Sequence, residues 1–251
     1  MTEQRKNFPD FYITAPQPCP YLADKSERKL FTHLTLDKPS IIVDNLLRDG
    51  FRRSQNIAYM PYCEECSACV SVRVLATEFR PTKSQKRVLK KNRDLVAKRI
   101  APQITTEQYT IFRDYIDARH ESGGMADMSV LDYRMMVEDS IIDTQITEYR
   151  QRPEGALECE ECDFESWPLK AVALSDNLGD GLSMVYSFFD PDEAERSLGT
   201  YMILEQINYT ASQKLPFVYL GYWIAQSDKM KYKTKFTPQE HLTADGWIRR
   251  D

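Results

Sequence analysis

The first third of the chain combines apolar runs of strand length with one amphipathic helical stretch. Apolar residues over 28–34 predict a strand, and the segment SIIVDNLLRDG predicts a helix that begins at Ser40 and ends near Gly50. Two further runs, 57–60 and 70–75, predict strands on either side of a cysteine-containing loop. This order of elements indicates a mixed α/β arrangement.

A strongly basic segment follows. Between residues 80 and 99, nine residues are Lys or Arg and one is acidic, which gives a net charge of +8. Apolar residues recur at helical spacing within it and predict a single basic helix over 83–100 whose charges face solvent. The apolar residues of this predicted stripe are Val88, Leu89, Leu95, Val96 and Ile100.

The rest of the chain alternates between helical and strand periods. Thr105 with Gln108 three positions later is typical of a capped helix start, and Ser129 predicts the start of another helix. A polar loop at 151–167, which carries Cys159 and Cys162, interrupts the strands and is typical of a surface insertion. The predicted strands are 144–150, 169–175, 182–189 and 217–224, and a helix is predicted over 199–213.

Composition narrows the class of protein. The chain has 251 residues, is 42% hydrophobic and 28% charged, and so resembles a folded globular protein rather than a disordered one. It begins with charges and prolines where a signal peptide needs an apolar run, and it has no stretch of roughly 18 apolar residues that would span a membrane. We therefore expect a cytosolic protein, with no membrane partner, whose thiols stay reduced.

Three cysteines at three-residue intervals, Cys63, Cys66 and Cys69, suggest a metal site, with Cys19 as the fourth ligand. Thiolates at this spacing suit an iron–sulfur cluster or a structural zinc ion. The alternative is that they are buried apolar thiols, because cysteine is among the most buried residue types. The pair Cys159 and Cys162 between acidic residues is a weaker metal candidate.

The basic segment indicates a polyanionic partner, because the chain as a whole carries a net charge of −5 and this density of cations exceeds that of an ordinary solvated helix face. RNA and DNA are equally compatible with it. Ser84 and Gln85 add donors that could contact phosphate or ribose.

Residues 182–224 read as strand, Arg-x-x-Gly loop, helix and strand, with Arg196 and Gly199 in the loop. This order is similar to the acyl-donor segment of GNAT-type acyltransferases, in which a helix N-terminus holds an anionic donor. Tyr201 stands where a small residue is expected, so a coenzyme A pyrophosphate would fit poorly. A plain helix cap is the alternative interpretation.

Taken together, these segments resemble the bacterial aspartate/glutamate leucyltransferases, which are relatives of the arginyl-tRNA–protein transferases. The resemblance extends over nearly the whole chain through FYITAPQPCPYL, GFRRSQNIAYMPYCEECSACVSVRV, FRPTKSQKRVLKKNRDL, SLGTYMILEQI and LGYWIAQSDKMKYKTKFTPQE. It implies transfer of an amino acid from charged tRNA to the α-amine of a protein that begins with Asp or Glu, which the degradation machinery then recognises. No cofactor is required by such a reaction, so a zinc ion or iron–sulfur cluster would be structural.

The resemblance also implies an α/β (α+β) architecture with a cysteine-containing α/β subdomain over 1–80 and a GNAT-like catalytic domain over 81–251. Leucine is the expected transferred amino acid, and arginine is the alternative. Two other classes also remain open, an acetyl-CoA-dependent N-acetyltransferase and a non-enzymatic RNA-binding protein.

Few strong catalytic groups are expected, because an aminoacyl ester is already activated and an α-amine with a pKa of about 7.7–8.0 is partly deprotonated at neutral pH. Holding the two reactants together supplies most of what the reaction needs. The candidate bases or amine anchors are His120, Asp176 and Asp190.

Candidate binding residues fall into two sets. The residues expected at the tRNA and its aminoacyl end are Lys83, Ser84, Gln85, Lys86, Arg87, Lys90, Lys91, Ser197, Gly199, Thr200, Tyr201, Tyr186, Tyr219 and Tyr222. The cations expected at the acceptor's acidic side chain are Arg73, Lys229, Lys231 and Lys233.

Overall fold

An eight-stranded mixed sheet lies at the centre of the protein, and a four-stranded antiparallel sheet packs beside it. The computed structural model describes residues 9–35, 40–119, 125–155 and 164–251. The helices are α1 (Ser40–Arg48), α2 (Lys83–Lys91), α3 (Thr106–Arg119), α4 (Val130–Glu138) and α5 (Leu198–Ser212). Short 3-10 segments cover Phe164–Ser166, Pro191–Arg196 and Asp228–Lys235.

The strands divide between a large sheet, a smaller sheet and a short hairpin. They are β1 (Tyr12–Ile13), β2 (Gln17–Pro18), β3 (Ser26–Glu27), β4 (Lys29–His33), β5 (Arg52–Ser54), β6 (Ile57–Pro61), β7 (Val70–Leu75), β8 (Leu95–Ile100), β9 (Thr144–Gln151), β10 (Leu169–Leu178), β11 (Gly181–Phe189), β12 (Phe217–Trp223), β13 (Gln239–Thr243) and β14 (Gly246–Arg250).

The large sheet has the order β14-β13-β7-β12-β11-β10-β9-β8, and the smaller one has the order β1-β4-β6-β5. The pair β11 and β12 is parallel, whereas the other pairs in the large sheet are antiparallel. The predicted mixed α/β class is therefore confirmed. Strand β7, from the N-terminal third, lies next to β12 within the large sheet, and the division at residue 80 stays a prediction.

The two central strands of the large sheet separate along their length. The parallel pairing joins Gly181–Ser183 of β11 to residues 217–219 of β12, and within the described chain these strands pair no further. Both strands continue beyond this point, β11 to Phe189 and β12 to Trp223. A gap therefore opens inside the sheet, and we refer to it below as the strand gap.

Helices cover both faces of the sheet. Along β10, Ala171 and Ala173 pack with α5 residues, whereas Val172 and Leu174 pack with residues of α3 and α4. Because successive residues of a strand point to opposite faces, α5 lies on one face and α3 with α4 lies on the other. The result is a layered core with the strand gap at its middle.

The predicted single helix over 83–100 is wrong beyond Lys91. Helix α2 ends there, and residues 95–100 form edge strand β8, which pairs with β9. The buried Asn92 side chain stops the helix: its Nδ2 donates to the carbonyls of Val88 and Arg196, each at 2.9 Å, and its Oδ1 accepts from Arg196 Nε at 2.8 Å. Sheet pairing and this long-range network override the local helical pattern.

Most other predicted elements are confirmed within a few residues of their expected ends. The cap at Thr105 is present, since its hydroxyl accepts from Gln108 N at 3.2 Å, and Ser129 caps α4 in the same way with Asp132. Strand β5 and the β13–β14 hairpin were not predicted, because they are short or polar. None of the helices in the described residues is long and apolar enough to cross a membrane.

A buried ion pair fastens the smaller sheet to the large one. Arg53 of β5 donates to both carboxylate oxygens of Asp176 on β10, at 2.7 and 2.8 Å, and both side chains are at most 1% exposed. Thr144 of β9 donates to the same carboxylate at 2.7 Å. The two charges are thus fully hydrogen-bonded to each other and to a neighbouring strand, which a buried pair requires.

We predict that Asp176→Asn lowers the free energy of unfolding by about 3–5 kcal/mol, because it leaves the buried Arg53 guanidinium without a counter-ion. Urea denaturation measures this loss. The control is Arg249→Ala, which removes surface pairs with Glu78 and Asp251 and should cost much less, because surface ion pairs contribute little to stability. Equal small losses for the two variants would contradict the anchoring role.

Candidate functional site

A cavity of about 460 Å³ lies where the N-termini of α2 and α5 meet the Asp228–Lys235 segment. It brings together residues that are more than 100 positions apart in the sequence. From the two helix starts, the lining residues include Ser84, Gln85, Ser197 and Thr200, all predicted to bind the tRNA or its aminoacyl end. Two helix N-termini, each with partial positive charge, thus line one cavity.

Helix α2 begins with a capping box that Gln85 completes. Gln85 Oε1 accepts from Thr82 N at 2.8 Å, and Gln85 N donates to the Thr82 hydroxyl at 3.3 Å. The buried Gln85 side chain also donates to the carbonyl of Lys235 at 2.8 Å. Gln85 therefore holds the cavity wall together, and Ser84 is the more exposed hydroxyl beside it.

Helix α5 begins at Ser197, whose backbone is left-handed (φ 55°) and whose side chain makes no capping hydrogen bond. The residue before it, Arg196, is fixed by Asn92 and Asp94, so the start of α5 is tied to the end of α2. Gly199 lies against the Phe189 ring, and Tyr201 is buried beside Tyr149. Of the predicted residues here, Ser197 and Thr200 line the cavity, whereas Tyr201 belongs to the core.

The exposed side of α2 carries a dense row of cations next to this cavity. Within the described residues, one of them has a carboxylate partner: Lys91 lies 3.8 Å from Glu195, which is itself exposed. Arg99, by contrast, is on β8, donates to Glu205 and stacks on Tyr209, so it is not part of this surface. The exposed cations of α2 are Lys83, Lys86, Arg87, Lys90 and Lys91.

Lys233 is the one of the four predicted acceptor cations that reaches the strand gap. Its side chain is buried, and Nζ donates to the carbonyl of Tyr222 on β12 at 2.5 Å. Burial, and secondarily the nearby Arg52 guanidinium, lowers the pKa of Lys233 to about 7. A lysine of this kind is partly neutral near physiological pH.

Arg52 enters the strand gap from β5, and no pattern in the sequence predicted it there. Its guanidinium donates to Ser183 Oγ at 3.3 Å and to the carbonyl of Met184, both on β11. It lies so close to Gly221 of β12 that a Cβ there would be 2.8 Å from Arg52 Cζ, and Gly221 has a φ of +79°. Glycine is thus required at 221 for both the backbone shape and the approach of Arg52.

The other predicted acceptor cations lie elsewhere or have partners. Arg73 donates to Glu240 at 2.7 Å and to Tyr219 Oη at 3.0 Å, and it stacks 3.6 Å from the centroid of the Phe217 ring. Lys231 pairs with Asp228 on the surface, and Lys229 is exposed. The structure therefore does not gather the four predicted cations into one site.

The tyrosines predicted as one wall are also separated. Tyr219 Oη donates to Asp180 at 3.0 Å, whereas Tyr222 Oη contacts the carbonyls of Gly50 and Tyr59. Tyr186 packs against Phe112, with ring centroids 6.2 Å apart. Burial raises the pKa of all three tyrosines, so they stay protonated at neutral pH.

Both of the candidate bases that the structure describes are held in structural ion pairs. Asp176 is fully buried and bound to Arg53. Asp190 caps the Pro191–Arg196 segment by accepting from Asp192 N at 3.0 Å, and it pairs with Lys170 at 3.0 Å. His120 lies outside the described residues.

Four cysteines line a second cavity of about 80 Å³, next to Tyr59 and Tyr222. They are free thiols, and burial together with the neighbouring thiols raises the pKa of Cys69 to about 11. The donor set suits zinc or an iron–sulfur cluster. Over the described ranges, however, no three His, Cys, Asp or Glu side chains are arranged to hold a metal ion. The cysteines concerned are Cys19, Cys63, Cys66 and Cys69, whereas Cys159 and Cys162 lie outside the described residues.

The cavity is formed by two helix N-termini, and it lies beside a cationic helix and next to the strand gap. This combination suits an enzyme whose substrate is a small chemical group attached to a polyanion. Comparison with protein families gives the class. The arginine-tRNA-protein transferase N-terminal model matches residues 17–87, and the C-terminal model matches residues 107–243. The chain belongs to the arginine-tRNA-protein transferase family.

Individual relatives show which members of the family this chain is similar to. The chain is 57% identical over 249 residues to proteins named aspartate/glutamate leucyltransferase from Brucella suis and Brucella ovis, with 99% of this chain and 99% of each relative covered. Among solved structures, the C-terminal domain of a putative lysylphosphatidylglycerol synthetase from Agrobacterium fabrum superposes with a TM-score of 0.44 and 12% identity, covering 78% of this chain and 55% of that one. That superposition is too loose to support an argument.

We predict that the stability contribution of Lys233 depends on pH. Its folded pKa of about 7 lies below the unfolded value of about 10.4, so between these values the unfolded state binds more protons. The free energy of unfolding should therefore rise with pH in this window, by up to about 1.4 kcal/mol per pH unit, relative to Lys233→Met.

Urea denaturation of both proteins at pH 7 and pH 9 measures this difference. Lys231→Met is the matched control, because Lys231 is exposed and its loss should leave the pH dependence parallel to that of the wild type. A parallel pH dependence for Lys233→Met would contradict the low pKa.

Proposed function

We propose that this protein transfers leucine from leucyl-tRNA to the α-amine of proteins whose first residue is Asp or Glu. The observation that carries the proposal is the 57% identity to aspartate/glutamate leucyltransferases over 99% of both chains. Leucine is favoured over arginine as the donor by the names of these relatives, whereas the family itself is named for arginine. The product is a leucine-tagged protein, which we expect the degradation machinery to recognise.

The reaction is a direct aminolysis. The amine nitrogen attacks the ester carbonyl carbon, the bond from that carbon to the ribose oxygen of tRNA breaks, and an amide forms. One proton leaves the amine, and one is taken up by the ribose oxygen. Because the ester is already activated, the enzyme contributes mainly by holding both reactants in contact and stabilising charge on the carbonyl oxygen.

The exposed cations of α2 would bind phosphates of the tRNA acceptor end, and the adjacent cavity would receive its terminal nucleotide. The hydroxyls of Ser84, Ser197 and Thr200 line the cavity, and they and the two helix N-termini would supply donors there. The order β11, α5, β12 with a gap between the strands supports a GNAT-like domain adapted to an aminoacyl ester. Tyr201 packs in the core and not against the cavity, so the names of the relatives are what argue against an N-acetyltransferase.

We also propose a structural metal at Cys19, Cys63, Cys66 and Cys69. Their position in one cavity supports it. A bound cation would stabilise the Cys69 thiolate, whose pKa is raised by burial and then by the neighbouring thiols. The thiols would have to draw closer together around the ion. The zinc and iron content of the purified protein, compared with that of Cys63→Ser, tests this proposal.

Leucine transfer can be measured directly. We predict that the protein attaches radiolabelled leucine from leucyl-tRNA to a peptide that begins with Asp, and that it attaches much less arginine from arginyl-tRNA. An otherwise identical peptide with an acetylated N-terminus is the control, because it lacks the nucleophile. Transfer to neither peptide from either tRNA would refute the enzymatic proposal and favour an RNA-binding protein.

The α2 surface can be tested by charge reversal. Arg87→Glu and Lys90→Glu should each weaken tRNA binding several-fold and lower the slope of log affinity against log salt by about one unit for each phosphate that is no longer neutralised. Fluorescence anisotropy over a range of salt concentrations measures both effects. The single-charge control is Lys214→Glu, since Lys214 follows the far end of the 15-residue helix α5, about 22 Å from its start.

If all three charge reversals weaken tRNA binding equally, the tRNA responds to the net charge of the protein rather than to a site on α2. Because these side chains are exposed, the stability of each variant should stay within about 0.5 kcal/mol of the wild type.

A further inference from the structure

Two cations share the strand gap, and in the part of the chain that the structure describes they face no acidic side chain. Arg52 reaches it from β5, and Lys233 reaches it from the Asp228–Lys235 segment. Both contact adjacent residues of β12, Arg52 at Gly221 and Lys233 at Tyr222. Among the described residues, no carboxylate lies within ion-pair distance of either cation.

This arrangement is unlike that of the buried arginines in the described part of the chain. Each of those contacts a carboxylate, although the chain has 38 acidic residues from which partners for the gap could have come. Lys233 is buried and Arg52 is partly buried. A buried charge without a partner costs free energy, and a second like charge nearby raises that cost. The paired examples are Arg53 with Asp176, Arg150 with Glu148 and Arg196 with Asp94, and the nearly buried Arg73 with Glu240.

Both cations have more hydrogen-bond donors than they have acceptors among the described residues. An arginine has five N–H donors, and the Arg52 guanidinium donates to two acceptors, Ser183 Oγ and the Met184 carbonyl. A protonated lysine has three, and Lys233 Nζ donates to one acceptor, the Tyr222 carbonyl. The protein thus fixes the position of both groups and leaves donors for a ligand with planar, negatively charged oxygens.

The strand gap lies next to the cavity at the helix N-termini. Tyr232 lines that cavity, and its ring centroid is 5.9 Å from Lys233 Nζ. An aminoacyl ester held in the cavity would therefore have its acyl group near the two cations. The second reactant, a protein N-terminus with an acidic side chain, must approach the same point.

We propose that Arg52 and Lys233 together bind the side-chain carboxylate of the acceptor's N-terminal Asp or Glu and thereby set the specificity for acidic acceptors. This inference rests on the proposed function. It gives Arg52 a role in substrate selection and sets Arg73 and Lys231 aside, because their own carboxylate partners occupy them. A bound carboxylate would favour the charged form of Lys233 and so raise its pKa.

The test compares two peptides that differ only at the first residue, Asp or Asn. For Arg52→Gln and Lys233→Gln, we expect kcat/KM for the Asp peptide to fall by about 10- to 100-fold, as for loss of a hydrogen bond to a charged group. The value for the Asn peptide and the KM for leucyl-tRNA should change little. Lys214→Gln, remote from the gap, is the matched control and should keep the wild-type ratio.

Arg52→Lys is a charge-conserving variant. It keeps the proposal testable if urea denaturation shows that the Gln variants are misfolded. It keeps the positive charge but loses the planar fork, so we expect a smaller loss of the Asp preference than for Arg52→Gln. A ratio of Asp to Asn activity that stays at the wild-type value in these variants would overturn the proposal. So would a loss that falls on the KM for leucyl-tRNA, because the anion bound would then be a tRNA phosphate.

The proposed function and the proposed carboxylate site are refuted by different results. Wild-type protein that transfers leucine to no peptide would refute the proposed function. Wild-type protein that transfers leucine to the Asp peptide, with variants that keep the full Asp preference, would refute the carboxylate site alone.

Discussion

The buried ion pair between Arg53 and Asp176 is the constraint on which the arrangement of the site depends. It fastens strand β5 of the smaller sheet to strand β10 of the large sheet through two hydrogen bonds of 2.7 and 2.8 Å. Because neighbouring residues of a strand point in opposite directions, fixing Arg53 also fixes where Arg52 points. Arg52 then lies between β11 and β12, where it contacts both strands. A pair that contributes little net stability can still determine position in this way.

The separation of β11 and β12 leaves the Arg52 side chain accessible to a ligand. Paired strands would fill the centre of the sheet with backbone hydrogen bonds, whereas here the gap holds two cations and lies beside a cavity made by the starts of α2 and α5. Aminolysis of an ester asks for contact between reactants more than for a strong base. The described candidate carboxylates, Asp176 and Asp190, are correspondingly engaged in structural ion pairs. The site that we propose is therefore made mainly of cations and helix N-termini.

Local signals in the sequence were sufficient for much of the fold. The Thr105 and Ser129 caps were predicted because each depends on residues three positions apart, and the central strands were predicted from their apolar periods. The end of α2 could not be predicted, since Asn92 stops the helix with the help of Arg196, which is 104 residues away. Arg52 could not be distinguished from Arg53 in GFRRS for the same reason: their partners lie more than 120 residues further along the chain. Ser84 was a candidate because it is a hydroxyl donor in the basic segment, and Ser197 and Thr200 were candidates because they lie at the Arg-x-x-Gly helix start. Their convergence on one cavity depends on packing between distant segments, which no local pattern reveals.

A crystal structure with a stable bisubstrate analogue, in which aspartate is joined through its α-amine to leucyl-adenosine, tests the central claim most directly. We predict that the aspartate side-chain carboxylate lies within about 3 Å of donors on both Arg52 and Lys233, with the adenosine in the cavity at the starts of α2 and α5. A carboxylate bound at Arg73 or at the surface lysines, with the strand gap empty, would contradict the account.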